Sequence, residues 1–561
     1  RHNACYSSPD YRRKVTEINT RLAQRYGNHP ALYMWHVSNE YNNDCHCPRC
    51  QKAFQDWLRA RYGTIDNLND SWWNTFWSHR FTSFEQVESP TTPSFLGEWE
   101  SPNHNLAWRR FCSDQLIDFF QHEIAPLRQY APHIPVTTNL MHTFPGIDYF
   151  ALGRKMDFSS WDNYPQWRGD DRDAGISAAT SFKHDLMRGV CAQKPFLMME
   201  SCPGAVNWGA VNTLPPPGTV LYQGLQAIAH GSDSVQYFQF RAGRGGSEQF
   251  HGSVLPPDGS TDTRAFREVQ EVSAALEKLA PVCGTHTRNQ VALVYDWHSR
   301  WALDYAWMAH RGNQKYEETV QAHHTALTAA GYGVDVIDQL DDLTPYKAVI
   351  APMAYLLRAD FAHRLTAFAA AGGLVYLTYL SGYVDEEDLR FVTTPPLEAL
   401  TGLRTDEIDA FTQGHENHFL WQGRKWPVKE MVQLSTPKGA QVLAPYQQQF
   451  YQGQPVLTRN TVGSGACYTL QARVDTDCLT AILGDLLKTH GIQPLVNDLP
   501  AGVIATARYD RDGTCYLFLL NSNRNAAKVH LEGSWRCLTD CADVSGEPTL
   551  AAFTVTVFVG K

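Results

Sequence analysis

The chain has 561 residues, 43% of them hydrophobic and 19% charged, a length that suits three or four domains. Its 48 Lys and Arg against 58 Asp and Glu leave a formal charge of −10, and no Lys/Arg-rich run is present, which speaks against nucleic-acid binding. No apolar stretch approaches the length that crosses a bilayer, so no membrane partner is expected.

The sequence opens Arg1-His2-Asn3-Ala4-Cys5, with neither an initiator methionine nor a signal-peptide pattern, so a removed leader or an incomplete copy is expected. Trp57, Trp72, Trp73, Trp77, Trp99 and Trp108 crowd the first third, as packed core or as flat faces for carbohydrate. Short apolar runs predict strands at 31–38, 134–140, 157–162, 195–200 and 233–240, with a long amphipathic helix over 105–130 and another over 178–192. Repeated βα units imply a parallel sheet. The connection from 39 to 133 exceeds what a crossover needs and reads as a functional excursion or small inserted subdomain. A second unit predicts strands at 291–296, 333–337, 348–351 and 373–377, with helices at 316–330 and 360–371 between them. That is a smaller doubly wound α/β domain ending near residue 490. Residues 501–561 alternate in polarity around the turn signal Asp510-Arg511-Asp512-Gly513, as in a small antiparallel β domain.

Two predicted strands end in glutamate: Trp35-His36-Val37-Ser38-Asn39-Glu40 and Phe196-Leu197-Met198-Met199-Glu200. In a (β/α) barrel, side chains at the C-terminal strand ends point into the site mouth. Period two predicts His36, Ser38 and Glu40 on one face, and Phe196, Met198 and Glu200 on one face of theirs. Two facing carboxyls are what glycoside hydrolysis needs, one as proton donor and one as nucleophile or base. Either glutamate alone is read more readily as a solvated or salt-bridged residue.

Cysteines number 13, an odd count, so they cannot all pair within one chain. Cys45-His46-Cys47-Pro48-Arg49-Cys50 gathers three thiols, and Cys5 is a candidate fourth. Four thiolates suit tetrahedral Zn²⁺ with no open position for catalysis. A disulfide is the alternative, and a reducing, cytoplasmic compartment is the better expectation.

These segments together resemble glycoside hydrolase family 42. The resemblance lies in the Trp35–Glu40 strand end followed by Tyr41, the cysteine group, and Glu200-Ser201-Cys202-Pro203 running on to Val206-Asn207-Trp208. It continues in Gln226-Ala227-Ile228-Ala229-His230-Gly231, Phe238-Gln239-Phe240-Arg241 and Gly245-Gly246-Ser247-Glu248-Gln249-Phe250-His251. The family implies a (β/α)8 TIM barrel, an amidotransferase-like α/β trimerisation domain and a small C-terminal β domain, placed here at 1–284, 285–495 and 496–561. It implies a retaining β-galactosidase acting on a small carbohydrate, with Glu200 as nucleophile and Glu40 as acid/base. Asn39 would donate to the sugar 2-hydroxyl, and Trp208, Glu248, His251 and Tyr164 would line the galactose subsite. Trp77 is a weaker expectation for an aromatic wall. Structural zinc on Cys5, Cys45, Cys47 and Cys50, no organic cofactor and a homotrimer are also implied.

The family pattern makes the Glu40 strand the fourth of the barrel, so five strands are expected here and the first three are not. No cysteine lies between 284 and 466, which excludes an amidotransferase-type nucleophile in the middle domain. Another retaining glycosidase of the same barrel kind, a non-catalytic sugar-binding protein and a zinc hydrolase are the alternative readings.

Overall fold

The computed structural model describes residues 4–42, 44–90, 101–310, 314–358, 360–412, 414–539 and 543–560. Trp99, one of the N-terminal tryptophans, lies outside them.

The first unit carries five parallel strand positions in succession among the described residues. Trp35–His36 pairs with Val136–Thr137, and Asn139–Met141, Ser160–Asp162, Phe196–Glu200 and Ser232–Val235 follow as parallel neighbours. These are the five predicted strands in the predicted order. Two are much shorter than expected. The first keeps only Trp35 and His36, because Ser38 and Glu40 adopt left-handed backbone, with φ of 52° and 43°. The last stops at Val235, and the aromatic run after it forms the loop beside the site.

Helices back the sheet. Pro9–Tyr26 starts with Pro9 in its first turn and Ser8 as cap, accepting from the Tyr11 amide. It packs on Pro102–Tyr130, which is capped by Ser101 and begins three residues before the prediction. The expectation of an amphipathic helix there is corrected: it is buried along most of its length. Pro9–Tyr26, the excursion helix Pro48–Tyr62 and Trp297–Tyr305 of the next unit all pack on it. The excursion is a small helical subdomain, Pro48–Tyr62 and Ile65–Ser71, with its own core of Phe54, Leu58, Leu68, Trp72, Trp108 and Phe111.

The second unit is a seven-stranded sheet. Leu374–Thr378, Ala348–Ala351, Val291–Val294 and Val334–Ile337 lie side by side and parallel, and Gly465–Leu470 adds a fifth parallel strand. Antiparallel Pro455–Val462 and Gln441–Pro445 extend that edge, and Leu403–Ala410 pairs with Lys429–Pro437 in a separate three-stranded sheet. These later strands are absent from the sequence reading, since Leu403–Ala410 is polar and half-exposed. The C-terminal unit is a five-stranded antiparallel sheet. Its first hairpin, Val503–Tyr509 with Cys515–Asn521, turns where Asp510 accepts from the Asp512 and Thr514 amides, with Gly513 at φ 88°.

Candidate active site

The Asn39–Glu40 turn is pinned from two sides. Glu123, on the long helix, accepts from Ser38 Oγ at 3.0 Å and from the Tyr41 hydroxyl. On the other side Asn139 Oδ1 accepts from the Glu40 amide at 3.0 Å. The left-handed turn thus sets the direction of Glu40, which corrects the expectation that strand alternation would do so.

Asn139 is the hub of the site. Its Nδ2 lies 3.0 Å from Asn39 Oδ1, 2.7 Å from Asp162 Oδ2 and 3.3 Å from Glu200 Oε1. Asp162 and Glu200 are register partners at the ends of adjacent parallel strands. Carboxyl oxygens of Glu40, Asp162 and Glu200 lie within 4.8 Å of one another. Tyr164 donates its hydroxyl to Glu200 Oε2 at 2.6 Å. Burial and then the Glu200 charge raise the Tyr164 pKa, so this phenol stays protonated and keeps donating. Asp162 is 2% exposed. Burial, then Glu200, then Glu40 push its pKa well above the usual carboxylate range.

A cleft of about 490 Å³ opens above these groups, lined by Asn39, Glu40, Met141, His142, Asp162, Tyr164, Glu200, Trp208, Phe238, Glu248 and His251. Every residue expected at the catalytic pair or the sugar subsite is therefore brought to one place. Two loops supply the wall, and they are knit together. The Gly252 amide donates to Ala205 O at 2.8 Å, and Asn207 Nδ2 donates to Ser247 O at 2.7 Å. A Cβ on Gly252 would come within 2.7 Å of both Cys202 Sγ and Gly204 Cα, so only glycine allows this approach. The Tyr164 ring meets Trp208 and His251 edge-on, at centroid distances of 5.7 and 5.6 Å. His251 is buried and donates Nδ1–H to its neighbour Gly252 O, whereas Trp208 and Glu248 stand at the exposed rim.

Trp77 does not join them. It is 66% exposed on the helical excursion and lines no part of this chain's cleft. Asn139 and Glu123 were missed from sequence, while Asp162 was read only as part of the site segment Asp162-Asn163-Tyr164-Pro165, with Tyr164 as its expected contributor. For Asp162 the signal was present: it ends a barrel strand, as Glu200 does.

The four thiols converge as well. Cys5 Sγ is 3.6 Å from Cys47 Sγ and 3.4 Å from Cys50 Sγ, and all four sulfurs, Cys45 included, lie within 4.8 Å of one another. Zn–S bonds of about 2.3 Å in a tetrahedron separate sulfurs by roughly 3.8 Å, so the set fits zinc. Cys47 caps the Pro48–Tyr62 helix, and the Cys50 amide holds its thiol down to about 7. No helix among the described residues is long and apolar enough to cross a membrane.

Carboxyl groups this close fit double displacement, which uses a separation of about 5–5.5 Å, rather than inversion, where water needs a wider gap. Fold and site together define a barrel glycosidase. Residues 1–279 match the glycoside hydrolase family 42 β-galactosidase domain, and 289–493 match the β-galactosidase trimerisation domain. β-Galactosidase BglY of Alicyclobacillus acidocaldarius is 42% identical over 568 residues, covering 99% of this chain and 82% of that protein. GanA of Bacillus subtilis is 39% identical over 570 residues, covering 100% and 84%. The crystal structure of a β-galactosidase from Rahnella sp. R3 superposes with a TM-score of 0.95 at 41% identity, covering 100% of this chain and 82% of that one. The chain belongs to glycoside hydrolase family 42, a family of retaining β-galactosidases.

Proposed function

We propose that Glu200 is the nucleophile and Glu40 the acid/base in hydrolysis of terminal non-reducing β-D-galactosyl residues. The observation that carries this is the approach of the two carboxyls at the ends of separate strands, inside a cleft walled by aromatic rings. Tyr164 and Asn139 donate to the two oxygens of Glu200, which favours the ionised form and aims it. Glu200 attacks the anomeric carbon while Glu40 protonates the departing oxygen. Forming the glycosyl ester removes the negative charge of Glu200, and Glu40, now deprotonated, draws a proton from the incoming water. Asn139 fixes the amide of Asn39, which hydrogen-bonds the sugar 2-hydroxyl. Trp208 and Tyr164 shape the sugar subsite, and Glu248 and His251 bind hydroxyls whose axial or equatorial placement separates galactosides from glucosides.

Structural zinc on Cys5, Cys45, Cys47 and Cys50 ties the loop after Glu40 to the chain start. Sulfurs at the spacing of metal ligation also support a reducing, cytoplasmic compartment. The match to the trimerisation domain supports a homotrimer, and the matched ranges support divisions near 284/285 and 495/496.

A panel of aryl β-glycosides tests the reading. The galactoside should turn over, Glu200→Gln should not turn it over, and azide should partly rescue Glu40→Ala on an activated aryl galactoside. Unrescued Glu40→Ala would remove Glu40 from its role.

A further inference from the structure

We propose that Asp162 is a positioning residue for the acid/base, keeping a proton through the catalytic cycle and donating it in a hydrogen bond to Glu40. The proposal rests on the roles given above to Glu40 and Glu200. It begins from an accounting of hydrogen bonds. Asp162 Oδ2 accepts from Asn139 Nδ2 at 2.7 Å. Asp162 Oδ1 is buried and meets no amide, hydroxyl or cationic donor among the described residues. The Glu40 carboxyl lies beside it, with an oxygen within 4.8 Å of an Asp162 oxygen. Two carboxyl groups this close can bond to each other only through a proton that one of them carries.

The choice of carrier follows from where the two groups sit. Glu40 opens to the cleft and has to pass its proton to the leaving group. Asp162 lies at the floor of the cleft and is only 2% exposed. The ionisable groups that act on it are Glu200, Glu40, Tyr149 and Tyr164. Across the cleft His142 is held down to about 4 by burial and is neutral at pH 7. Burial and the two carboxylates all favour the protonated aspartate.

A neutral donor fixes one oxygen of Glu40 and leaves the other aimed at the glycosidic oxygen. It serves both half-reactions. Once Glu40 has given up its proton, the same hydrogen bond supports the carboxylate that must act as base, and the Asp162 proton itself never transfers. A charged aspartate in the same place would repel the Glu40 carboxylate in that second step.

The test measures kcat and KM against pH for Asp162→Ala and Asp162→Asn in the native enzyme, with alkyl and dinitrophenyl β-galactosides. For Asp162→Ala, kcat on the alkyl galactoside should fall about tenfold to a hundredfold, the scale of a misplaced catalytic group. The dinitrophenyl substrate, whose leaving group needs no proton, should lose far less, and KM should hardly move. Asparagine keeps a neutral donor and should recover most of the loss. Equal losses in the two variants, or a loss in Asp162→Ala that ignores the leaving group, would overturn the proposal. Infrared spectra give a readout independent of turnover. In a Glu40→Gln background, the difference spectrum on adding Asp162→Asn at neutral pH should show the loss of a protonated-carboxyl stretch, and a difference that shows only a lost carboxylate band contradicts the proposal. Azide rescue of Glu40→Ala, run beside these, separates failure of Asp162 from failure of the acid/base assignment.

Discussion

Two buried clusters of ionisable groups sit in the first unit, and they are built on opposite principles. At the cleft, Asp162 is surrounded by further carboxyls, and burial together with Glu200 and Glu40 raises its pKa. Behind the barrel, Asp185 is equally buried, and burial alone would push its pKa up. Arg188 and His230 outweigh that and hold it well below the usual range. Asp185 accepts from His230 Nδ1 at 2.9 Å, from His324 Nε2 at 2.8 Å and from Arg188. Arg188 reaches on to Asp335 Oδ1 at 3.0 Å in the neighbouring α/β unit. One residue type in two dry places therefore does two jobs. Where cations answer it, aspartate is a charged joint between units. Where carboxyls answer it, it is a proton holder in a reactive site.

The largest contrast should come from the nucleophile. Glu200→Gln should remove measurable turnover of an aryl β-galactoside while leaving the melting temperature near that of the native enzyme. Loss of folding along with activity would blur the division between the two clusters. Next is the structural joint. Asp185→Ala takes one of two carboxylates from buried Arg188 and the acceptor from His230 and His324, and should cost about 3–5 kcal/mol of stability. In urea unfolding the midpoint should drop, while kcat of the folded fraction stays as it was.

The proposed zinc set lies between these two in kind, since its four cysteines bring the loop next to Glu40 to the chain start without lining the cleft. Chelating the metal, or Cys50→Ser, should lower the melting temperature by several degrees before it lowers kcat. An equally stable metal-free protein would remove zinc from the account. The smallest effect is in the pH dependence of stability, where the two aspartates should have opposite signs. Asp185, with its pKa lowered, adds stability above the ordinary aspartate range that is lost as pH falls towards its depressed value. Asp162, with its pKa raised, does the reverse, and stability declines as pH climbs from the ordinary range towards its raised value. Asp162→Asn should therefore raise the melting temperature by a few degrees at neutral pH, with the gain fading in acid. Thermal unfolding across pH reads this directly.

The sequence showed the contrast only in part. Glu40 and Glu200 were legible because each ends a predicted strand segment, and the (β/α) barrel makes strand ends meaningful. Trp208, Glu248 and His251 were legible through the family resemblance, and the knitted loops explain why distant segments reach one wall. Asn139 was not legible. It sits within Thr137-Thr138-Asn139-Leu140, which reads as an ordinary buried strand, and its importance comes from four partners distant in sequence or on other strands. Asp185 and His324 are likewise ordinary helix residues until the α/β unit packs against the barrel. Strands such as Leu403–Ala410 escaped because polar, half-exposed ribbons carry no clear period. The direction of Glu40 was misread for a local reason: alternation ends where the backbone turns left-handed at Ser38.

The most direct test of the central claim is to trap the glycosyl enzyme with an activated 2-deoxy-2-fluoro-β-galactoside and locate the label by peptide mass spectrometry. The account predicts one labelled carboxyl, on Glu200. A label on Glu40 or Asp162, or hydrolysis that proceeds with inversion and leaves no label, would contradict it.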